Sequence, residues 1–254
     1  MRRPENPFKR ALHAGRQQIG LWCSIPSALT AEAVAASGFD WLLIDGEHAP
    51  SDVPDMMAQL QAMARGTAHP VVRVPWNDPV IIKRVLDVGA DTILVPMVQN
   101  AEEARAAVAA TRYPPHGIRG FASNVRATAF GRMSDYFTRH EEEMCVLVQV
   151  ETVEALEKVE EIAAVDGVDG VFIGPGDLSA SMGLLNQTRH PDVVAAVEDG
   201  MRRILAAGNR PGILANDPVL ARRYMAAGAV FTAVGIDVML LVRAADDLAR
   251  QFRE

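Results

Sequence analysis

Residues 36–50 read ASGFDWLLIDGEHAP. A helix-forming run gives out at Ser37-Gly38, and a glycine in that place is the usual left-handed stop of a helix. Four apolar residues then follow without a polar break: Trp41, Leu42, Leu43 and Ile44. A half-exposed strand alternates polar and apolar side chains, whereas an unbroken run suits a parallel strand covered on both faces. The run stops on Asp45, Gly46, Glu47 and His48. Either the strand has simply emerged into water, or it delivers two carboxylates and an imidazole to the end of a sheet.

The same unit recurs along the chain. Short runs rich in Val, Ile and Leu predict strands over 19–23, 41–45, 71–74, 92–96, 144–149, 170–174, 212–214 and 230–234. Helical patterns predict helices over 31–37, 53–64, 79–87, 101–111, 153–164, 193–207, 219–227 and 237–252. Strand and helix alternating in this way spell an α/β fold, a single (β/α)8 TIM barrel occupying residues 1–254 as one domain. An open doubly wound sheet is the alternative. The even spacing disfavours it, as does the lack of a Gly-x-Gly-x-x-Gly turn after the first strand. Residues 113–142 form the longest irregular stretch, and loops of that length in a compact domain usually serve function or subunit contact.

Bulk composition narrows the function classes. The chain has 254 residues, 49% hydrophobic and 22% charged, with a formal net charge of −7. That balance lacks the basic footprint of a nucleic-acid binder. No apolar run approaches the roughly 20 residues of a membrane span, and the basic start, MRRPENPFKRAL, has no apolar signal-peptide core. Cys23 and Cys145 both sit in apolar segments and read as buried thiols of a reducing compartment, with the cytoplasm as the default. A disulfide between them is the minor reading.

In a barrel enzyme, chemistry gathers at the C-terminal ends of the strands. The second strand supplies Asp45, Glu47 and His48, the third Arg73, the fifth Gln149 and Glu151, and the sixth Asp177 within Gly174-Pro175-Gly176-Asp177. Glu151 and Asp177 come from adjacent strands, and neighbouring carboxylates repel unless a proton or cation lies between them. Hard oxygen ligands without Cys or His favour Mg²⁺ or Mn²⁺. Two other readings remain open on the residues alone: a pair of helix N-caps, or an acid/base pair of the glycosidase kind. The Gly174-Pro175-Gly176-Asp177 turn can present backbone N–H groups to an anion, although tight turns use these residues widely. Arg73 can neutralise a carboxylate or an enolate oxygen, or merely form a rim salt bridge. His48 is suited to moving protons near neutrality, or is a surface histidine. Asp45 and Glu47 flank His48: Asp45 is a candidate to orient the imidazole, and Glu47 is read as structural instead. The lysines, Lys9, Lys83 and Lys158, end no predicted strand, which disfavours Schiff-base chemistry.

Eight segments together resemble one family: WLLIDGEHAP (41–50), VVRVPWNDP (71–79), VLDVGADTILVPMVQNAEEA (85–104), TRYPPHGIRG (111–120), MCVLVQVET (144–152), GVDGVFIGPGDLSASMG (167–183), PGILA (211–215) and AVGID (233–237). They are similar, in order and spacing, to the class II pyruvate aldolases of the HpcH/HpaI family. The likeness runs from about Asn6 to the C-terminus. It implies a metal-dependent (β/α)8 barrel that reversibly cleaves 4-hydroxy-2-oxo acids to pyruvate and an aldehyde through a metal-stabilised pyruvate enolate. By that resemblance Glu151 and Asp177 hold a divalent ion, Mg²⁺, Mn²⁺ or Co²⁺. Gln149 and the backbone amides of Gly176 and Asp177 meet the substrate, with Trp22 and Leu214 as further candidate contacts. His48 acts as base and Arg73 stabilises the enolate. An aspartate in the position of Asp87 is credited with raising the basicity of the histidine. Since Asp87 is expected at the end of a helix away from the rim, either that helix boundary is wrong or another subunit takes part.

The resemblance also implies a homo-oligomer, trimer or hexamer, with the last helix exchanged between subunits; packing on its own barrel is the alternative. The partner is a small molecule, with no nucleic acid or membrane. Residues 121–132, FASNVRATAFGR, depart from the family pattern, which leaves the aldehyde open: succinic semialdehyde, a hydroxyaldehyde from a 2-dehydro-3-deoxy sugar acid such as tartronate semialdehyde or lactaldehyde, or a broad range of aldehydes. An acyl-CoA lyase would want a basic groove that the sequence lacks. A non-catalytic barrel would have no use for the rim set.

Overall fold

The computed structural model describes residues 1–253. Eight strands, β1 (Gln18–Cys23), β2 (Trp41–Asp45), β3 (His69–Arg73), β4 (Thr92–Val95), β5 (Cys145–Val150), β6 (Gly170–Ile173), β7 (Pro211–Leu214) and β8 (Phe231–Ile236), pair in sequence order, all parallel. β8 closes the barrel on β1, with Gln18 opposite Phe231. The expected (β/α)8 barrel is the fold, and the open sheet is ruled out.

The apolar runs are buried on both faces because each strand feeds two cores. Leu42 and Ile44 point outward and join Val72, Val146, Val148, Val171 and Ile173 beneath the helices. Trp41 and Leu43 point inward with Val71, Leu94, Leu147, Phe172 and Phe231. By the same alternation, period two along a strand, Asp45, Arg73 and Gln149 are the last inward residues of their strands. Glycine makes room for the large inward rings: a Cβ on Gly20 would lie 2.2 Å from the Trp41 ring, and one on Gly212 2.2 Å from Phe231.

The helices are α1 (Pro7–His13), α2 (Ala28–Val34), α3 (Val53–Met63), α4 (Pro79–Asp87), α5 (Ala101–Thr111), α6 (Tyr136–Glu143), α7 (Val153–Glu157), α8 (Val159–Ala163), α9 (Pro175–Ser181), α10 (Pro191–Ala206), α11 (Pro218–Ala226) and α12 (Asp237–Gln251). Several boundaries differ from expectation. α2 begins at Ala28 rather than residue 31, because the Ser27 side chain accepts from Thr30 N and caps it. The helix expected over 153–164 is two, since Lys158 (φ −104°, ψ 14°) leaves helical geometry between α7 and α8. The stretch 113–142 holds a 3₁₀ turn at Arg126–Thr128 and all but the last residue of α6.

α1, not foreseen, closes the floor of the barrel. Asn6 caps it and Pro7 opens it. Phe8 stacks on His69 with ring centroids 5.7 Å apart, and meets Trp41 and Phe231 edge-on, each at 6.0 Å.

α12 differs from the other barrel helices. Asp237, its first residue, is buried and accepts hydrogen bonds from Ser24 N and Ile25 N. Val238, Leu240, Leu241, Val242 and Leu248 are exposed. Cys23 and Cys145 are free and buried, which removes the disulfide reading. Among the described residues no helix is long and apolar enough to cross a membrane.

Candidate active site

A cavity of about 410 Å³ opens at the C-terminal ends of the strands. Asp45, His48, Arg73, Gln149, Glu151, Gly176 and Asp177 all line it, as do Trp22 and Leu214. Of the residues singled out from the sequence, only Asp87 lies elsewhere.

Asp45 and Arg73 sit opposite each other in the β2–β3 register. The guanidinium donates from Nε to Asp45 Oδ1 at 2.9 Å and from Nη2 to Oδ2 at 2.7 Å. Both side chains are buried. Trp22 completes a clamp: its indole Nε1–H donates to Asp45 Oδ2 at 3.0 Å, and its ring lies 4.8 Å from the guanidinium carbon. Burial works to raise the Asp45 carboxyl, but the hydrogen bonds and charge of Arg73 outweigh it and hold Asp45 below the ordinary carboxylate range.

This corrects the expectation for Asp45. Its Oδ1 accepts from the backbone amides of Glu47 (3.0 Å) and His48 (3.3 Å). It therefore fixes the loop that carries the histidine, and its oxygens are taken up by Arg73, Trp22 and those amides rather than by the imidazole. The His48 side chain is 65% exposed, and its Nε2 lies 3.9 Å from Glu47 Oε2.

Glu47, named with the rim residues but given no role in the chemistry there, pairs with Arg73. Its Oε2 lies 2.6 Å from Arg73 Nη1, a close ion pair too poorly aligned to count as a hydrogen bond. Burial raises its carboxyl, against the charges of Arg73 and His48, with Asp45 and Asp177 adding to the rise.

Glu151 follows β5 and is buried. Met97 N donates to its Oε1 at 2.8 Å, and Gln149 Nε2 to its Oε2 at 2.5 Å. Burial pushes the carboxyl up to about 7 in spite of these two donors, and the charges of Glu47 and Asp177 add to the rise. The carboxylate packs against the backbone of Gly174, where a Cβ would lie 2.5 Å from Glu151 Oε2. Asp177 stands in the first turn of α9, whose N-cap is Gly174. Neither carboxylate serves as a helix cap, so that reading of the pair fails. Gln149 Oε1 is buried with no hydrogen-bond partner.

The donor set fits a hard divalent ion. Acidic groups converge with too little positive charge to balance them, and an amide oxygen beside them lacks a partner. Among the described residues no three His, Cys, Asp or Glu side chains come together as a metal cluster. Two carboxylates form an open site of the kind in which water and substrate oxygens complete the shell.

Asp87 is the last residue of α4, as expected. Its Oδ1 accepts from Arg119 Nη2 at 2.7 Å, outside the cavity. His116 is exposed and paired with Glu141 at 2.8 Å, and it takes no part in the site.

A family model described as HpcH/HpaI aldolase/citrate lyase matches residues 18–244. The chain belongs to that family. An HpcH/HpaI relative from Klebsiella pneumoniae subsp. pneumoniae, named 4-hydroxy-2-oxo-heptane-1,7-dioate aldolase, is 58% identical over 97% of this chain and 94% of its own. A protein of the same name from Salmonella dublin is 56% identical over 98% and 95%. Among solved structures, an HpcH/HpaI aldolase/citrate lyase family protein from Burkholderia cenocepacia is 42% identical, with a TM-score of 0.95 over 98% of this chain and all of that one.

Sequence reasoning overlooked part of this HpcH/HpaI cavity. Thr188, Arg189, Asn216 and Asp217 line its outer end. Asp217 had a readable signal, Asn-Asp-Pro before an apolar helix, which marks an N-cap. Arg189 lies in a loop without periodicity, and nothing local points to it.

Proposed function

We propose that this chain is a divalent-metal aldolase that cleaves 4-hydroxy-2-oxo acids reversibly to pyruvate and an aldehyde. 4-Hydroxy-2-oxoheptane-1,7-dioate, giving succinic semialdehyde, is the substrate to which its relatives' names point. The chain is a carbon–carbon lyase on this reading. One observation carries it: a buried and an exposed carboxylate short of positive charge, a clamped guanidinium and an exposed imidazole face one cavity.

Glu151 and Asp177 would hold the ion, Mg²⁺, Mn²⁺ or Co²⁺. When bound, it supplies Lewis acidity toward the oxygens of the pyruvate half. The protein's own residues do the rest. Gln149 and the amides of Gly176 and Asp177 orient the keto acid. His48, exposed at the mouth, takes the proton of the C4 hydroxyl. The C3–C4 bond breaks, the aldehyde forms at C4, and the bonding pair stays on the pyruvate fragment. Arg73, held in place by Asp45 and Trp22, faces the charge that develops there and needs no rearrangement to do so. A proton returned to C3 completes pyruvate.

The exposed apolar side chains of α12 support a homo-oligomer, trimer or hexamer, with that helix seated on a neighbour. Asp87, distant from the cavity of its own barrel, then has a role only across a subunit boundary.

The test is pyruvate release from 4-hydroxy-2-oxoheptane-1,7-dioate by chelator-stripped protein. Release restored by Mg²⁺, Mn²⁺ or Co²⁺, and absent from the Glu151→Ala, Asp177→Ala double variant, is the expected result. No release from this or any other 4-hydroxy-2-oxo acid with any of the metals overturns the proposal.

A further inference from the structure

The two ends of the cavity differ in charge. Two arginines line it, Arg73 and Arg189. Arg73 is buried and committed, to Asp45 through Nε and Nη2 and to Glu47 through Nη1. Arg189 is neither. It lies in the loop between α9 and α10, its side chain is 76% exposed, and its one ion pair among the described residues is from Nη2 to Asp217 Oδ2 at 2.8 Å. Asp217 is itself pinned, because its Oδ1 caps α11 by accepting from Val219 N (2.8 Å) and Leu220 N (3.1 Å). A carboxylate fixed by backbone amides thus tethers a guanidinium at the cavity mouth and leaves its other donors facing solvent and cavity. The same cavity that holds Arg189 and Gln149 is also lined by the apolar side chains of Leu214, Leu220 and Ile236.

A wall of this kind suits a substrate with a polar group at each end and a hydrocarbon stretch between. We propose that Arg189 is a specificity-determining residue that binds a carboxylate at the far end of the aldehyde half, so that the cavity selects aldehydes carrying a terminal negative charge over neutral ones of the same length. This rests on the aldolase reading, which places pyruvate at the Glu151 and Asp177 end. Without Arg189, the mouth would present the carboxylate of Asp217 to an incoming anion, and like charges repel.

The experiment compares aldol addition of pyruvate to succinic semialdehyde and to butanal, which has the same chain without the charge. The wild type, Arg189→Met and Arg189→Lys are measured in the presence of Mn²⁺. The ratio of kcat/KM for the charged over the neutral aldehyde falls about tenfold in Arg189→Met, the loss of one charge-assisted hydrogen bond at an exposed site. The change lies in KM for succinic semialdehyde. Arg189→Lys recovers most of the ratio, and added salt erodes it in the wild type because an exposed pair is screened. A ratio equal in all three proteins overturns the inference while leaving the aldolase standing. The aldolase reading fails separately, and this inference with it, if the wild type joins pyruvate to neither aldehyde and does not exchange its methyl protons in deuterium oxide.

Discussion

Asp45 and Arg73 are register partners on adjacent strands, and the carboxylate grips the guanidinium through two parallel hydrogen bonds of 2.9 and 2.7 Å. Arg73 cannot swing, because Trp22 stacks on one side and Glu47 meets its remaining nitrogen. Asparagine at position 45 has only one acceptor oxygen and cannot bridge both nitrogens. Asp45→Asn is expected to lower kcat/KM on the order of 100-fold by misplacing Arg73, and to destabilise the fold by about 3 kcal/mol, since a buried charge loses its partner. Steady-state kinetics and urea unfolding check the two effects. Arg73→Lys should not rescue activity, because an ammonium cannot reproduce the fork.

Gly174 and Gly176 are two residues apart, yet the structure assigns them opposite tolerance. A Cβ on Gly174 would collide with Glu151 at 2.5 Å, whereas nothing lies within 4 Å of one on Gly176. Glu151 cannot yield without giving up Met97 N or Gln149. Gly174→Ala is therefore expected to weaken divalent-ion affinity by roughly tenfold or more, the cost of displacing one hydrogen-bonded carboxylate. Gly176→Ala should keep the wild-type affinity. Calorimetric titration of Mn²⁺ into each variant measures the difference.

The Glu151 carboxyl is pushed up to about 7 by burial and by its acidic neighbours. Its folded value lies above its unfolded one, so the folded state holds the proton more tightly. Ionising the group at higher pH then costs stability. In chelator at pH 8, Glu151→Gln is expected to melt higher than the wild type by roughly 5 °C. Saturating Mn²⁺ should reverse the order, because an ion that binds only the folded wild type raises its Tm in proportion to the logarithm of its concentration. Thermal melts with and without Mn²⁺ test both statements.

His140, far from the cavity, sets an acid limit. Its Nε2–H donates to Thr111 O at 2.6 Å, and its Nδ1 accepts from Arg3 Nη1 at 3.2 Å, so the ring is built in as a neutral imidazole. Burial, reinforced by the charge of Arg119, brings its pKa down to about 3. The unfolded chain takes up this proton near pH 6.5 and the folded chain does not. Stability is therefore complete above pH 6.5 and falls by about 1.4 kcal/mol per pH unit between there and pH 3 from this group alone. His69 is depressed by burial too and adds in the same direction. Unfolding free energies measured from pH 7 to pH 4 should show this slope, and His140→Gln should flatten it.

The barrel was legible because its strands carry their own signature. Trp41 to Ile44 form an apolar run only because one set of side chains meets the barrel interior and the other the helices. Asp45, Arg73 and Gln149 could be named beforehand because they are the polar residues at the ends of apolar strands, where a barrel gathers its chemistry. What escaped depends on contacts remote in sequence. α1 was hidden in a short basic segment whose burial comes from Phe8 against three strands. The grip of Asp45 on Arg73, rather than on the imidazole, is a matter of register between β2 and β3. Arg189 enters the site only through its tether to Asp217, 28 residues away by the numbering of the pair.

The floor made by Phe8, His69, Trp41 and Phe231 has a kinetic consequence. A barrel stoppered at its base has a single doorway, and reactants must queue for it. On the proposed assignment of Glu151 and Asp177, pyruvate lodged at the inner end cannot depart past an aldehyde still standing in the mouth. The aldehyde leaves first and pyruvate last; in the synthetic direction pyruvate must enter before any acceptor. An aldehyde that arrives early only blocks the door, so excess aldehyde should inhibit, and pyruvate should relieve it.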